Sequence, residues 1–290
     1  MYFRANLKAN KIYIDLEFAP ETLRNHFALL ITNNSIQDLY FKISIDVPNW
    51  SVEEPTDGKL GVVPSGGVKQ FTIVITRTNP NSEITETGNL ILEAYSDSGY
   101  TNLVDSDTLP IEIHIVDIKS WDVQGWTFDD GTTQDWTTNG SVSSDRSVRA
   151  GGYSIKYVIT THDTEKKETF YIERSISIPS GYSKALFMFY FKWYGKTSPA
   201  NAAYTELEYF CVKVNGNVVF EWGKYGNVFE LHGDNLEEEK PWYKCVCDLS
   251  DYIGQTITLR IEFVMHTNGY NIAYLTYDVT WFDDPTLGYK

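Results

Sequence analysis

The side chains with the most evident chemistry are rings and charges set two residues apart. In the run 185–194, Met188, Tyr190, Lys192 and Tyr194 alternate with Phe187, Phe189, Phe191 and Trp193. A strand places i and i+2 on one face. The phenylalanine row therefore reads as core, and Tyr190, Lys192 and Tyr194 as outward. In 256–266, Ile257, Leu259, Ile261 and Phe263 read as inward, leaving Arg260, Glu262 and His266 outward. Near the C-terminus Tyr277, Val279 and Trp281 read as inward, which turns Asp278 outward with Thr276 and Thr280. In 206–214 the two rows are not distinguished. Trp222, Tyr225 and Trp242 supply further rings in or beside loops. Rings stack on the apolar faces of sugars and charged groups hydrogen-bond their hydroxyls, so this set suits a carbohydrate ligand. The same pattern also describes a solvated sheet whose aliphatic stems cover the strands.

Catalytic chemistry has less support. The five histidines, at 26, 114, 162, 232 and 266, show no local pairing at metal spacing. No nucleophile elbow, phosphate loop or His-Glu-x-x-His is present. Acids are numerous, 39 in all, so pairs suited to glycoside hydrolysis arise by chance and none stands out. Glu237, Glu238 and Glu239 read as a solvated loop before Pro241. The three cysteines, Cys211, Cys245 and Cys247, are too few for a disulfide scaffold. Cys245 and Cys247 share a face but are too far apart to bridge each other comfortably. One could pair with Cys211, or all three could be buried free thiols.

The elements that carry these residues are almost wholly β. Runs rich in Ile, Val, Tyr, Phe and Thr are separated by Asn, Gly, Pro, Ser and Asp. No long segment keeps a 3.6-residue period. The 290 residues allow one or two domains, and the strand pattern divides at 1–118 and 119–290. Seven or so strands are expected in the first part and eight in the second. Asn215-Gly216 between two apolar runs is the clearest hairpin signal. Trp50 follows a turn and reads as a core plug.

Composition restricts the partners. The formal net charge is −15, and aromatics make up 15 %. Enough ring surface is present to offset chain entropy, so a disordered acidic chain is excluded. The acidity argues against sequence-independent nucleic-acid binding and against anionic membranes. It is shared evenly, −7 over 1–119 and −8 over 120–290. Seven of the eight tryptophans lie at or beyond residue 121. No apolar run approaches the roughly 20 residues of a membrane helix, and no signal peptide is visible at the start.

Two stretches carry family resemblances. ALLITNNSIQDLYFKISIDVPNWSVEEP and VPSGGVKQFTIVIT resemble immunoglobulin-like accessory domains of secreted or surface proteins. In the second part, WTFDDGTTQDW, GGYSIKY, VKVNGNVVFEW, PWYKCVCDLSDYIGQTITLRIEF and VTWFDDPTL, in that order, resemble the jelly rolls of carbohydrate-binding modules and galactose-binding-like folds. The resemblances imply two antiparallel β-sandwich domains, immunoglobulin-like then jelly roll. They also imply a structural Ca2+ where the opening and closing acids meet, with Asp129 and Asp283 as ligands and carbonyls of 152–154 completing the shell. Calcium takes six to eight oxygens, and clustered carboxylates repel without a cation. Pro285 departs from the family pattern at the last turn.

The leading expectation is a non-catalytic binding protein of an extracellular or virion surface that takes carbohydrate or a glycosylated surface. The second is a virion subunit, a spike, turret or fibre, whose partners are copies of itself or capsid proteins. A polysaccharide hydrolase or lyase is third.

Overall fold

A computed structural model describes residues 2–7, 11–16, 22–144, 152–161, 164–199, 203–223, 228–269 and 276–290. The described secondary structure is β apart from three short 3-10 turns. It falls into two compact units, Met1–Ser120 and Trp121–Lys290. Among the described residues no helix is long and apolar enough to cross a membrane.

The first unit holds β1 (Phe3–Leu7), β2 (Lys11–Asp15), β3 (Thr22–Asn33), β4 (Leu39–Asp46), β5 (Ser51–Glu54), β6 (Lys59–Val63), β7 (Val68–Thr78), β8 (Ile84–Tyr95) and β9 (Leu103–Val116). One sheet runs β1-β3-β7-β5 and the other β2-β9-β8-β4-β6. Period-two rows such as Phe71, Ile73 and Ile75 meet Phe41, Ile43, Leu90, Leu92, Ile111 and Ile113 in one core. The short β1 and β6 were not separable from loops in the sequence. The sandwich is not purely antiparallel, because β2 pairs with β9 in parallel. The chain leaves β1 in one sheet and enters β2 in the other, so β2 is not the hairpin partner of the strand before it. Trp50 is buried as a plug, and its Nε1 donates to Glu86 Oε2 at 2.7 Å. Glu86 in turn pairs with the buried Arg77.

The second unit holds β10 (Asp122–Gly125), β11 (Thr137–Thr138), β12 (Ser141–Ser143), β13 (Ser154–Thr161), β14 (Glu165–Ser177), β15 (Ala185–Lys196), β16 (Tyr204–Val214), β17 (Asn217–Trp222), β18 (Phe229–His232), β19 (Glu237–Glu239), β20 (Tyr243–Asp248), β21 (Thr256–Asn268) and β22 (Thr276–Tyr289). One sheet runs β12-β13-β22-β15, with β19 and β20 on the far edge of β15 and β10 against β22. The other runs β11-β14-β21-β16, with β17 and β18 on the edge of β16. The two faces meet through rings: Phe191 lies 4.9 Å from Phe210 and 5.6 Å from Phe263. The whole 187–193 inward row is fully buried. Asn215 and Gly216 both take positive φ, the type I′ geometry of a two-residue hairpin.

The glutamate run is a strand rather than a loop. Glu239, Glu238 and Glu237 pair with Tyr194, Gly195 and Lys196. Lys192, Lys240 and Lys196 neutralise the three acids, which makes a charged edge compatible with strand pairing. The three cysteines are free and buried. Cys245 and Cys247 sit opposite Phe189 and Phe187, where burial pushes both thiols well above the ordinary range.

Candidate ligand-binding face

Strands β14, β21 and β16 lie side by side, and alternation sorts their residues cleanly. Phe170, Ile172, Leu259, Ile261, Phe263, Phe210 and Val212 fill the core. The outer face is a grid set by register. One row is Glu173–Arg260–Lys213, and the next is Tyr171–Glu262–Cys211–Glu221. Then come Thr169–Val264–Tyr209, Lys167–His266–Glu206–Glu230 and Glu165–Asn268–Tyr204–His232. A bulge between Leu207 and Tyr209 puts Tyr209 on this face. Gly223, at φ 96°, packs directly against the bulge, since a Cβ there would lie 2.2 Å from Glu208 O.

The first two rows form one network. Arg260 Nε donates to Glu262 Oε1 at 2.6 Å, and its Nη1 reaches Glu173 Oε2 at 3.3 Å. Lys213 Nζ approaches the other Glu262 oxygen at 2.5 Å. The guanidinium lies 4.1 Å from the centre of the Tyr171 ring. Tyr209 OH donates to Glu221 Oε2 at 2.7 Å. Burial pushes the Glu262 carboxyl up, but Lys213 and Arg260 outweigh it and hold the group below the ordinary carboxylate range. Glu262 is thus kept as an anion and accepts hydrogen bonds. Cys211 is fully buried beneath it, 3.9 Å from Sγ to Oε2, and burial raises the thiol.

Of the residues singled out from sequence, Arg260 and Glu262 come together here. Lys192 and Tyr194 are half-buried on the outer face of the opposite sheet, where Lys192 pairs with Glu239 at 2.5 Å. The two outer faces point away from each other across the sandwich, so one ligand site does not include both sets. One expected orientation, that of Asp278, and two expected exposures, those of Tyr190 and Trp222, are corrected. Tyr190 is buried between its register neighbours Lys244 and Asp283, with Lys244 Nζ 5.6 Å from the ring centre. Asp278 is fully buried and faces the core, accepting from Trp193 Nε1 at 2.8 Å. The row opposite to it is the outward one, because Trp281 carries Lys156 and Lys192 over its ring at 5.4 and 6.0 Å. Trp222 is a core residue, with Phe210 at 5.7 Å and Phe191 at 6.4 Å. Trp242 is half-buried beside the start of β20. Tyr225 lies outside the described residues.

Asp129 is exposed and its Oδ1 accepts from Gly152 N–H at 2.8 Å. Asp283 is fully buried and its Oδ1 accepts from the Asp284 N–H at 2.9 Å. Among the described residues, one group of three metal-ligating side chains lies within 4.8 Å: Glu206, Glu230 and His232. It could hold a divalent ion. Sequence spacing hid it, because Glu206 and His232 are 26 residues apart and only the β16–β18 register joins them. Tyr171 had no local signal, and the row of Tyr209 and Lys213 had no direction, for the same reason: the rows of a sheet are composed across strands.

No family model and no curated protein matches the chain. Among solved structures it is similar to Caldicellulosiruptor saccharolyticus CBM27-1 in complex with mannohexaose (12 % identity, TM-score 0.31, covering 57 % of this chain and 96 % of that one). It is similar to TmCBM61 in complex with β-1,4-galactotriose (14 %, 0.29, 57 % and 94 %). It is also similar to a PapD-like domain of human CEP192 (13 %, 0.27, 40 % and 84 %). Scores this low carry no inference about function.

Proposed function

We propose that the protein is a non-catalytic binding protein of an extracellular or virion surface, whose second unit takes carbohydrate on the outer face of the β14–β21–β16 sheet. One observation carries the reading: Arg260 is fixed by Glu173, Glu262 and the Tyr171 ring, with Lys213 on the second Glu262 oxygen. Sugar hydroxyls give up water on binding, so a net gain requires donors and acceptors already held in place. The Arg260–Glu262–Lys213 network supplies both, and the tyrosines supply apolar surface beside it. Holding Glu262 ionised favours an acceptor and disfavours a general acid, which needs a raised value.

Within this reading the first unit is an immunoglobulin-like support and the second a jelly roll. A glycan array followed by calorimetry tests the assignment. Binding of at least one glycan class, weakened tenfold or more by Arg260→Ala and unaffected by Lys196→Ala on the other sheet, is expected. Binding to no glycan, or binding indifferent to Arg260→Ala, would overturn it.

A further inference from the structure

The lower rows of the same face pose an electrostatic problem. Glu206 and Glu230 are direct cross-strand partners, and like charges in that position destabilise a sheet. One imidazole nitrogen stands near both. His232 Nε2 stands 2.8 Å from Glu206 Oε1 and 3.8 Å from Glu230 Oε2. A proton on that nitrogen is directed at the nearer oxygen, that of Glu206. A dication in its place would bind both carboxylates and the ring nitrogen together.

We propose that Glu206, Glu230 and His232 bind a divalent first-row transition ion of the zinc class. Ligands about 2.0–2.1 Å from zinc at tetrahedral angles stand about 3.3 Å apart. The two separations from Nε2 bracket that spacing, and the three ligand atoms all lie within 4.8 Å of one another. The surroundings resemble a supported metal site. Glu206 is nearly buried, with its side chain 11 % exposed, and its second oxygen faces His266 Nδ1 at 3.5 Å. His266 is itself held, through Nε2, by Glu165 Oε1 at 2.7 Å and Tyr204 OH at 3.0 Å. Tyr204 also stacks on the His232 ring, with centres 5.4 Å apart and planes 23° apart. The anchoring carboxylate and the imidazole are thus oriented before an ion arrives. Glu230 and His232 are 62 % and 52 % exposed, which gives the ion an entry path and leaves a fourth position to water. A ring nitrogen among the donors selects a borderline ion over calcium, which takes oxygens.

Zinc alone, titrated calorimetrically into the full chain, tests the site, and cobalt alone reports its geometry through visible absorption. One equivalent of zinc is expected to bind, and cobalt to give the intense bands of a four-coordinate ion. His232→Asn and Glu206→Gln should each weaken zinc at least tenfold, and Glu237→Gln on the other sheet should not. His232 is half-exposed, so His232→Asn is expected to fold, which circular dichroism checks. Absence of zinc binding by the folded chain, undiminished binding in both variants, or displacement of zinc by equimolar calcium would overturn the assignment. None of these outcomes depends on whether the upper rows bind a glycan.

Discussion

Trp193 Nε1 donates to Asp278 Oδ1 at 2.8 Å inside the core of the second unit. Gly195 is the residue opposite Asp278 in the β15–β22 register. A Cβ on Gly195 would lie 2.5 Å from the Trp193 ring and 2.7 Å from Thr205. The indole therefore lies along its own strand, over Gly195, and reaches the aspartate on the neighbouring one. Three residues on two strands thus house one buried carboxyl.

That carboxyl should titrate abnormally. Burial pushes it well above its ordinary 3.8, against the pull of Trp193, the Thr205 hydroxyl and the Glu206 backbone N–H. The folded chain then keeps a proton that the unfolded chain has released. The resulting stability is fully present below the unfolded value and is lost as pH rises toward the folded one. Asp278→Asn removes the ionisation. Thermal melts of the variant and the parent should coincide near pH 4, and the variant should melt higher at pH 7. A lower melting temperature for Asp278→Asn at pH 7 would contradict this.

The same housing predicts coupling between two substitutions. Trp193→Phe strips Asp278 Oδ1 of its donor and should cost about 1–3 kcal/mol. Gly195→Ala forces a methyl against the indole and should cost about 1–3 kcal/mol through overpacking. Phenylalanine lacks the outer ring that meets this methyl, so the double variant should lose less than the two single losses combined. Urea unfolding of the four chains measures the difference, and strict additivity would mean the indole does not occupy the space above Gly195.

Alternation was legible where one row was plainly apolar. Phe187, Phe189, Phe191 and Trp193 face in, as do Ile257, Leu259, Ile261 and Phe263, and Arg260 and Glu262 face out as expected. It failed on β22, where Tyr277, Val279 and Trp281 are the more apolar row and yet face out. Val279 and Trp281 are also buried, so β22 is covered on both faces and its pattern carries no direction. The decisive signal was the Trp193 N–H, a partner 85 residues away. Tyr190 failed similarly, since Lys244 and Asp283 cover it from neighbouring strands. The Glu206–Glu230–His232 group depends on a register that no local spacing encodes.

Glu262 should make stability fall in acid. Its carboxyl is held below the ordinary range by Lys213 and Arg260 despite burial, so its contribution is present above the unfolded value and is lost as pH falls through the folded one. Arg260→Ala removes a donor at 2.6 Å and a charge. The Glu262 titration, followed by NMR through its side-chain carboxyl carbon, should then move upward. Arg260→Lys should recover only part of the shift, because an ammonium does not bridge Glu173 and Glu262 while lying flat on Tyr171. An unchanged Glu262 titration in Arg260→Ala would show that Lys213 alone sets it.

A second acid-sensitive group lies in the first unit. His26, on β3, is lowered from 6.5 to about 4, first by burial and then by Arg24, with Glu53 opposing. Arg24 is itself held by Glu53 at 2.7 Å, which keeps its charge close to the ring. A lowered histidine means that the unfolded chain binds a proton the folded chain refuses. The associated stability is present above pH 6.5 and is lost as pH falls through about 4, up to about 3 kcal/mol at roughly 1.4 kcal/mol per unit. Melts of the full chain from pH 7 to pH 4 should therefore show the first unit weakening, and His26→Gln should flatten that slope. The His26 ring protons should titrate near 4 by NMR, and higher in Arg24→Ala. A midpoint near 6.5 in the parent chain would mean that the ring is solvated and that the acid sensitivity of this unit has another source.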